Sequence, residues 1–230
     1  MRTTLVTTLA LACSVSIGAF AADREAKAID RIDAAADTVS DLMHAGDKGV
    51  PKELLENARC VVVIPGMKKA GFIFGGKYGR GFAVCRRAGG KNWSAPAAMR
   101  IEGGSVGFQI GGSEQDVLLL VMNDGGMKHI LADKFTLGGD ATVSAGPVGR
   151  DAQAQTDVAM HAEMLSYSRS RGLFAGISLT GATLRPDQET NRELYGHDVT
   201  NREILMGNVK APEGARKLDM VLNSDSHMRN

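Results

Sequence analysis

The apolar positions of this chain fall into three textures. From residue 23 to 45, Ile29, Ile32, Ala36, Val39 and Leu42/Met43 recur every three or four residues, the spacing of one face of an α-helix. Asp23 is placed to cap that helix and Gly46 to stop it. The opposite face sets Arg24, Lys27 and Arg31 against Asp30, Asp33, Asp37 and Asp41. That face is net acidic, whereas a helix lying on a membrane surface carries Lys and Arg there. The pattern predicts a helix packed on its own domain. Gly49-Val50-Pro51 then opens a short second helix that reaches Ala58, with proline in its first turn.

The second texture is β. Cys60-Val61-Val62-Val63-Ile64 is a β-branched run that Pro65-Gly66 is expected to end. Residues 71–76 and 81–86 predict two strands around a turn at Lys77-Tyr78-Gly79-Arg80. Residues 106–110, 117–122, 142–148, 157–169 and 172–179 continue the series, and Met160 to Met164 alternates polar with apolar. The close spacing of these runs implies antiparallel pairing and leaves no room for βαβ crossovers. Most of the 28 glycines cluster here. Glycine permits bulges, bends and close backbone approach, so a strongly curved sheet, barrel-like or sandwich-like, is expected. From Pro186 the helical texture returns, with helices at residues 187–195, 200–206 and 211–222. Thr200 and Glu203 have the spacing of a capping box. Helices at both ends of a glycine-rich antiparallel sheet make a single α+β domain.

The first 21 residues stand outside that domain. A short positive start, Met1-Arg2, leads an uncharged apolar run to Phe20, and Ala19-Phe20-Ala21 precedes the polar Ala22-Asp23-Arg24. These are the marks of a secretory signal peptide. Leu9-Ala10-Leu11-Ala12-Cys13 loosely resembles a lipoprotein cleavage box. The apolar run continues past Cys13, which favours cleavage after Ala21. The expected location is therefore periplasmic or secreted, with the domain occupying residues 22–230.

Charge narrows the choice of partner. Without Arg2, Lys+Arg and Asp+Glu balance at 26 each. No global field favours nucleic acid, and any electrostatic binding needs a local patch. Export places Cys60 and Cys85 in an oxidising compartment. Two readings stand for them, a disulfide between neighbouring strands or two buried thiols. Neither they nor the histidines make a metal set, and no cofactor is expected.

Gly103-Gly104-Ser105-Val106-Gly107 matches G-x-S-x-G, but a nucleophile elbow needs a strand, a turn and a helix, and Phe108-Gln109-Ile110 is strand-like. A serine hydrolase using Ser105 is the remote alternative. Gly71 to Lys77 spells G-x-x-x-x-G-K, yet Tyr78 stands where a phosphate loop needs Ser or Thr. His161 and Glu163 are two apart, as on one strand face. The basic groups Lys68-Lys69, Lys77 with Arg80, Arg86-Arg87, and Arg169 with Arg171 fall near expected strand ends. Gathered on one rim beside Tyr78, Trp93 and Tyr167, they would hold anionic head groups.

Several blocks, taken in order, resemble the SYLF-domain family. They are Cys60 to Pro65, Lys69-Ala70-Gly71-Phe72, Gly75 to Gly81, and Trp93-Ser94-Ala95-Pro96. Gly104 to Gly111, Ala145-Gly146-Pro147, Tyr167 to Gly176, Asn191 with Tyr195-Gly196, and Ile204 to Gly207 complete the series. The resemblance covers residues 30–222. It implies a compact lipid-binding module without catalytic residues. Eukaryotic members bind phosphoinositides, and yeast relatives bind and bundle actin. The expected function is thus a non-enzymatic module binding a membrane lipid or another anionic envelope component. The alternative is a structural or protein-interaction role without lipid.

Overall fold

The computed structural model describes residues 4–71, 74–87, 92–106, 111–148, 161–170, 173–174 and 179–225. Helix α1 (Thr4–Met43) is followed by a 3-10 turn (Gly46–Lys48) and α2 (Lys52–Asn57). Then come β1 (Cys60–Gly71), β2 (Phe74–Cys85), β3 (Ala97–Val106) and β4 (Gly111–Val121). Helix α3 (Asp124–Ile130), β5 (Phe135–Thr136), β6 (Val143–Ala145), β7 (Met164–Ser170), β8 (Leu173–Phe174) and β9 (Thr183–Pro186) follow. Helices α4 (Gln188–Tyr195), α5 (Asn201–Met206) and α6 (Arg216–Asp225) end the described chain. The expected α+β class is the one observed.

One curled sheet carries the strands in the order β5-β9-β3-β2-β1-β4-β7-β6, with β8 on β7. Each pair is antiparallel except β6–β7, which is parallel. Alternate residues of the strands enter two different cores. Val61, Val63, Phe82, Val84, Ala98, Leu118, Leu120 and Leu165 face the helices, where Ala28, Ile32, Ala36, Val39 and Leu42 of α1 meet Leu54, Leu55, Leu194, Leu218 and Leu222. Val62, Ile64, Ala83, Met99, Ile101, Val117, Leu119 and Val121 face the inside of the curl, closed by Ile130, Phe135, Leu184, Ile204 and Leu205. Burial on both faces is why Cys60 to Ile64 is an unbroken apolar run rather than an alternating one.

The glycines explain where the strand boundaries depart from expectation. Pro65-Gly66 does not end β1. The register against β4 slips by one residue between Ile64 and Met67, a bulge with Gly66 at φ 57°. The Gly66 N–H donates to Asp116 Oδ1 at 2.9 Å. Nor do Lys77-Tyr78-Gly79-Arg80 form a turn, since all four lie within β2. Gly79 and Gly81 are there for close approach: a Cβ on Gly81 would stand 1.8 Å from the Val63 carbonyl oxygen, and one on Gly79 2.6 Å from Ile64 Cγ2. The bulged strand can press on β2 only where no side chain intervenes.

Other boundaries differ as well. Helix α1 runs through Asp23, so Asp23 caps nothing and pairs with Lys27 at 2.6 Å. The strand expected over 157–169 begins at Met164, and His161 and Glu163 precede it; residues 151–160 lie outside those described. So do residues 107–110 and 175–178 of two other expected strands. The three C-terminal helices are present. The Thr200–Glu203 capping box is complete, with Thr200 Oγ1 accepting from the Glu203 N–H at 3.2 Å.

Candidate functional site

The basic residues singled out above lie in three places. Lys68, Lys69 and Arg169 line an open cavity of about 670 Å³ together with Glu114 and Asp116. Lys68 stands opposite Glu114 across β1–β4, and Lys69 opposite Lys77 across β1–β2. Lys77 is only 8% exposed. Burial, and then the neighbouring Lys69, hold its ammonium below the usual lysine range. Arg169 bridges Asp41 of α1 and Asp116 of β4. Its charge fastens the acidic face of α1 to the sheet, while Lys217 ties the same helix to α6 through Asp37 at 2.7 Å. Arg171 lies outside the described residues.

Arg80 belongs to a second place. Its Nε donates to the Tyr78 hydroxyl at 2.7 Å and lies 3.3 Å from Asp187 Oδ2. Asp187 is buried and caps α4, with Oδ1 accepting from the Thr190 N–H at 3.5 Å. Arg31 of α1 shares this environment. Burial and then Arg80 lower its pKa, while Asp187 opposes both.

Arg86 and Arg87 follow the C-terminal end of β2. Arg86 donates from Nε to the Ala58 carbonyl at 3.1 Å and from Nη2 to that of Leu55 at 3.0 Å, so it satisfies the last carbonyls of α2. Its guanidinium also stacks 4.3 Å from the Trp93 ring centroid. Arg87 donates to the Trp93 carbonyl at 3.2 Å, to Asn208 Oδ1 at 3.0 Å and to the Val209 carbonyl at 3.4 Å. These partners are neutral, so they fix the side chain without cancelling its charge.

Beside this pair runs a groove of about 460 Å³ between the Trp93 segment and α6. Val84, Trp93, Pro96, Leu218 and Leu222 give it apolar walls, and Arg87, Lys210 and Arg216 stand along it with Glu213 and Asp219. Arg216 is paired with Glu213 at 3.0 Å. Lys210 is exposed and carries no ion pair among the described residues. An apolar slot with cations along it suits an amphiphile: methylenes in the slot, an anion at the rim. Sequence reasoning found Trp93, Arg87 and the last helix but missed Lys210 and the placement of α6 opposite Trp93, which only the tertiary fold brings about.

Cys60 and Cys85 form a disulfide. They are direct partners in the β1–β2 register, at a non-hydrogen-bonded position, since the Arg86 N–H donates to the Arg59 carbonyl one step outward. Ser105 lies within β3, paired with Gly75, and residues 107–110 after it lie outside those described. Lys77 lies on a strand rather than in a phosphate loop. Glu163 accepts from the Thr142 N–H at 2.7 Å and from Thr142 Oγ1 at 2.9 Å, and its Oε1 lies 3.8 Å from His129. No group of metal-ligating side chains occurs among the described residues.

Residues 102–225 match the family model Ysc84, described as "Las17-binding protein actin regulator". An SH3 domain-containing protein of Schizosaccharomyces pombe is 39% identical over 178 residues, 76% of this chain and 41% of that protein. SH3 domain-containing YSC84-like protein 1 of Rattus norvegicus is 37% identical over 179 residues, 77% of this chain and 52% of the relative. Protein YSC84 of Saccharomyces cerevisiae is 35% identical over 181 residues, 77% of this chain and 38% of the relative. The chain thus spans about half the length or less of these relatives. The match over more than half of its residues agrees with the block order read from the sequence, and the chain belongs to the Ysc84 family, the SYLF-domain group.

Proposed function

We propose that this protein is a non-enzymatic module that binds an anionic phospholipid in the groove between Trp93 and α6. The observation that carries the reading is the pairing in one groove of apolar walls with Arg87 and Lys210, cations that no described carboxylate neutralises. The acidic face of α1 supports a groove rather than a membrane-lying helix, because Asp37 and Asp41 are occupied with Lys217 and Arg169. Export to the envelope fits the same reading. The first buried side chain described in α1 is Ala28, so cleavage after Ala21 would cost none of the helix-face core that the structure describes.

The test is sedimentation with phosphatidylcholine vesicles, with and without phosphatidylglycerol. Binding is expected only with the anionic lipid and falls with salt. Ala211→Trp, at an exposed groove position, fills the slot and is expected to abolish binding while leaving stability unchanged. Equal sedimentation of the variant would place any lipid elsewhere. A second reading, docking of a protein partner, is favoured by the family description, which names Las17 binding. It predicts protein co-purification and indifference to both vesicle types.

A further inference from the structure

Register, not sequence, assembles the most unusual charge arrangement in the molecule. Arg80 of β2 is the direct partner of Arg100 on β3, and Arg100 the direct partner of Arg185 on β9. Three arginines therefore stand side by side across three adjacent strands. Arg80 and Arg100 are two residues from Phe82 and Ala98, which face the helices, so the row lies on the helix-bearing face. Cβ atoms of direct cross-strand partners are ~5 Å apart, and like charges so placed repel. Guanidinium groups cannot relieve this by losing a proton.

Among the described residues, counter-ions stand by the two outer members only. Asp187 stands by Arg80 at 3.3 Å and Glu102 by Arg185 at 2.5 Å. Arg31 from α1 draws on the same Asp187. Glu189 and Glu193 pair with Arg24 at 3.3 and 3.7 Å, and they also act on Arg80 and Arg31 respectively. Arg100 in the middle has no ion pair among the described residues, and its buried Nε has no hydrogen-bond acceptor. The Arg185 Nε, although close to Glu102, is misaligned and also lacks an acceptor. Arg80 and Arg185 remain partly open to solvent, with side chains 31% and 39% exposed.

A row of cations with an uncompensated centre, unfilled donors and access from solvent is what a tetrahedral oxyanion needs. A phosphate group can take a guanidinium fork on two oxygens and present the others to the flanking arginines. We propose that Arg100, flanked by Arg80 and Arg185, forms a binding site for a phosphate-class oxyanion. It shares no lining residue with the Trp93 groove and stands or falls independently of it.

Thermal melting of the wild-type protein with inorganic phosphate, against chloride at equal ionic strength, is the first arm. Phosphate is expected to raise Tm beyond chloride. Arg100→Gln is expected to remove that rise, weakening phosphate by about tenfold or more through loss of the charge and the fork. In chloride alone the variant should melt at or above the wild-type temperature, because the central like charge is gone. Arg100→Lys keeps the charge without the fork and should keep only part of the phosphate effect, which provides a second reading should the glutamine variant fold poorly. The second arm distinguishes a head group from free phosphate, using phosphatidylcholine vesicles containing phosphatidic acid. Loss of both phosphate stabilisation and vesicle binding in Arg100→Gln identifies a lipid head group, and loss of the first alone identifies a soluble phosphate. No phosphate-specific shift in the wild type, or a full shift retained by Arg100→Gln, overturns the proposal.

Discussion

The arginine in the middle of β2 and those just past its end are used in opposite ways. At Cys85 the strand leads into Arg86 and Arg87, whose donors are committed to carbonyls of α2, of Trp93 and of the segment before α6. Near its middle, Arg80 stands in a like-charged row whose central member has no counter-ion within the described chain. Arg86, whose donors are satisfied by the backbone of α2, is a structural strut, whereas Arg87 is held by neutral partners and keeps its charge at the groove. A guanidinium whose neighbours are also cations and whose buried Nε is unfilled is a binding group. Counting basic residues along the sequence cannot separate these two uses, whereas following each donor to its acceptor does.

The contrast is easiest to break at Arg86. Arg86→Ala removes two charge-assisted hydrogen bonds and the stacking on Trp93, and it leaves the Leu55 and Ala58 carbonyls without those donors. A loss of about 2–3 kcal/mol is expected in denaturant unfolding. Arg169→Gln should cost on the order of 1 kcal/mol or less, since its pairs with Asp41 and Asp116 are partly open to solvent. Vesicle binding of that variant should be unchanged, because its charge is already taken up. Lys210→Gln should cost nothing measurable in stability yet weaken binding to anionic vesicles several-fold. If Arg86→Ala proves neutral in stability, or Lys210→Gln proves destabilising, the division between strut and binding group fails.

A smaller effect is expected at Glu163. Hydrogen bonds from the Thr142 backbone first, together with its hydroxyl and His129, hold the Glu163 carboxyl below the usual carboxylate range. A carboxyl with a depressed folded pKa binds fewer protons folded than unfolded. Its stabilisation is thus complete above the ordinary glutamate pKa and is lost as pH falls through the lower folded value. Glu163→Gln should flatten that acid limb of the stability profile and leave stability above pH ~5 reduced but independent of pH in this range. An acid limb as steep as that of the wild type would remove this account of the Thr142 clasp.

Much of the fold is legible in the sequence because its periodicities are clean. Ile32, Ala36, Val39 and Leu42 announce the buried stripe of α1, Val61 to Ile64 announce a strand covered on both faces, and Thr200 with Glu203 announces a helix start. The misreadings come from glycine and proline, which punctuate turns in most sequences. Here Pro65-Gly66 makes a bulge, and Gly79 and Gly81 admit the backbone of that bulge, so one long β2 was expected as two strands and a turn. Helix α3 is hidden for a similar reason. Its cap, Asn123 accepting from the Gly126 N–H at 3.0 Å, precedes a glycine pair of poor helix propensity. The disulfide partners were visible as strand neighbours, but the choice between bond and thiols needed the register. The cation row was not legible as a row. Arg80, Arg100 and Arg185 come from three separate strands, and only Arg80 stands in a basic group along the sequence.

The central claim is that an anionic phospholipid occupies the Trp93–α6 groove. Native mass spectrometry of the protein with phosphatidylglycerol, wild type beside Ala211→Trp, tests it most directly. The account predicts a one-to-one lipid adduct on the wild type that the tryptophan variant lacks, with both proteins equally folded. Adducts of equal abundance on the two proteins, or none on the wild type, would contradict it.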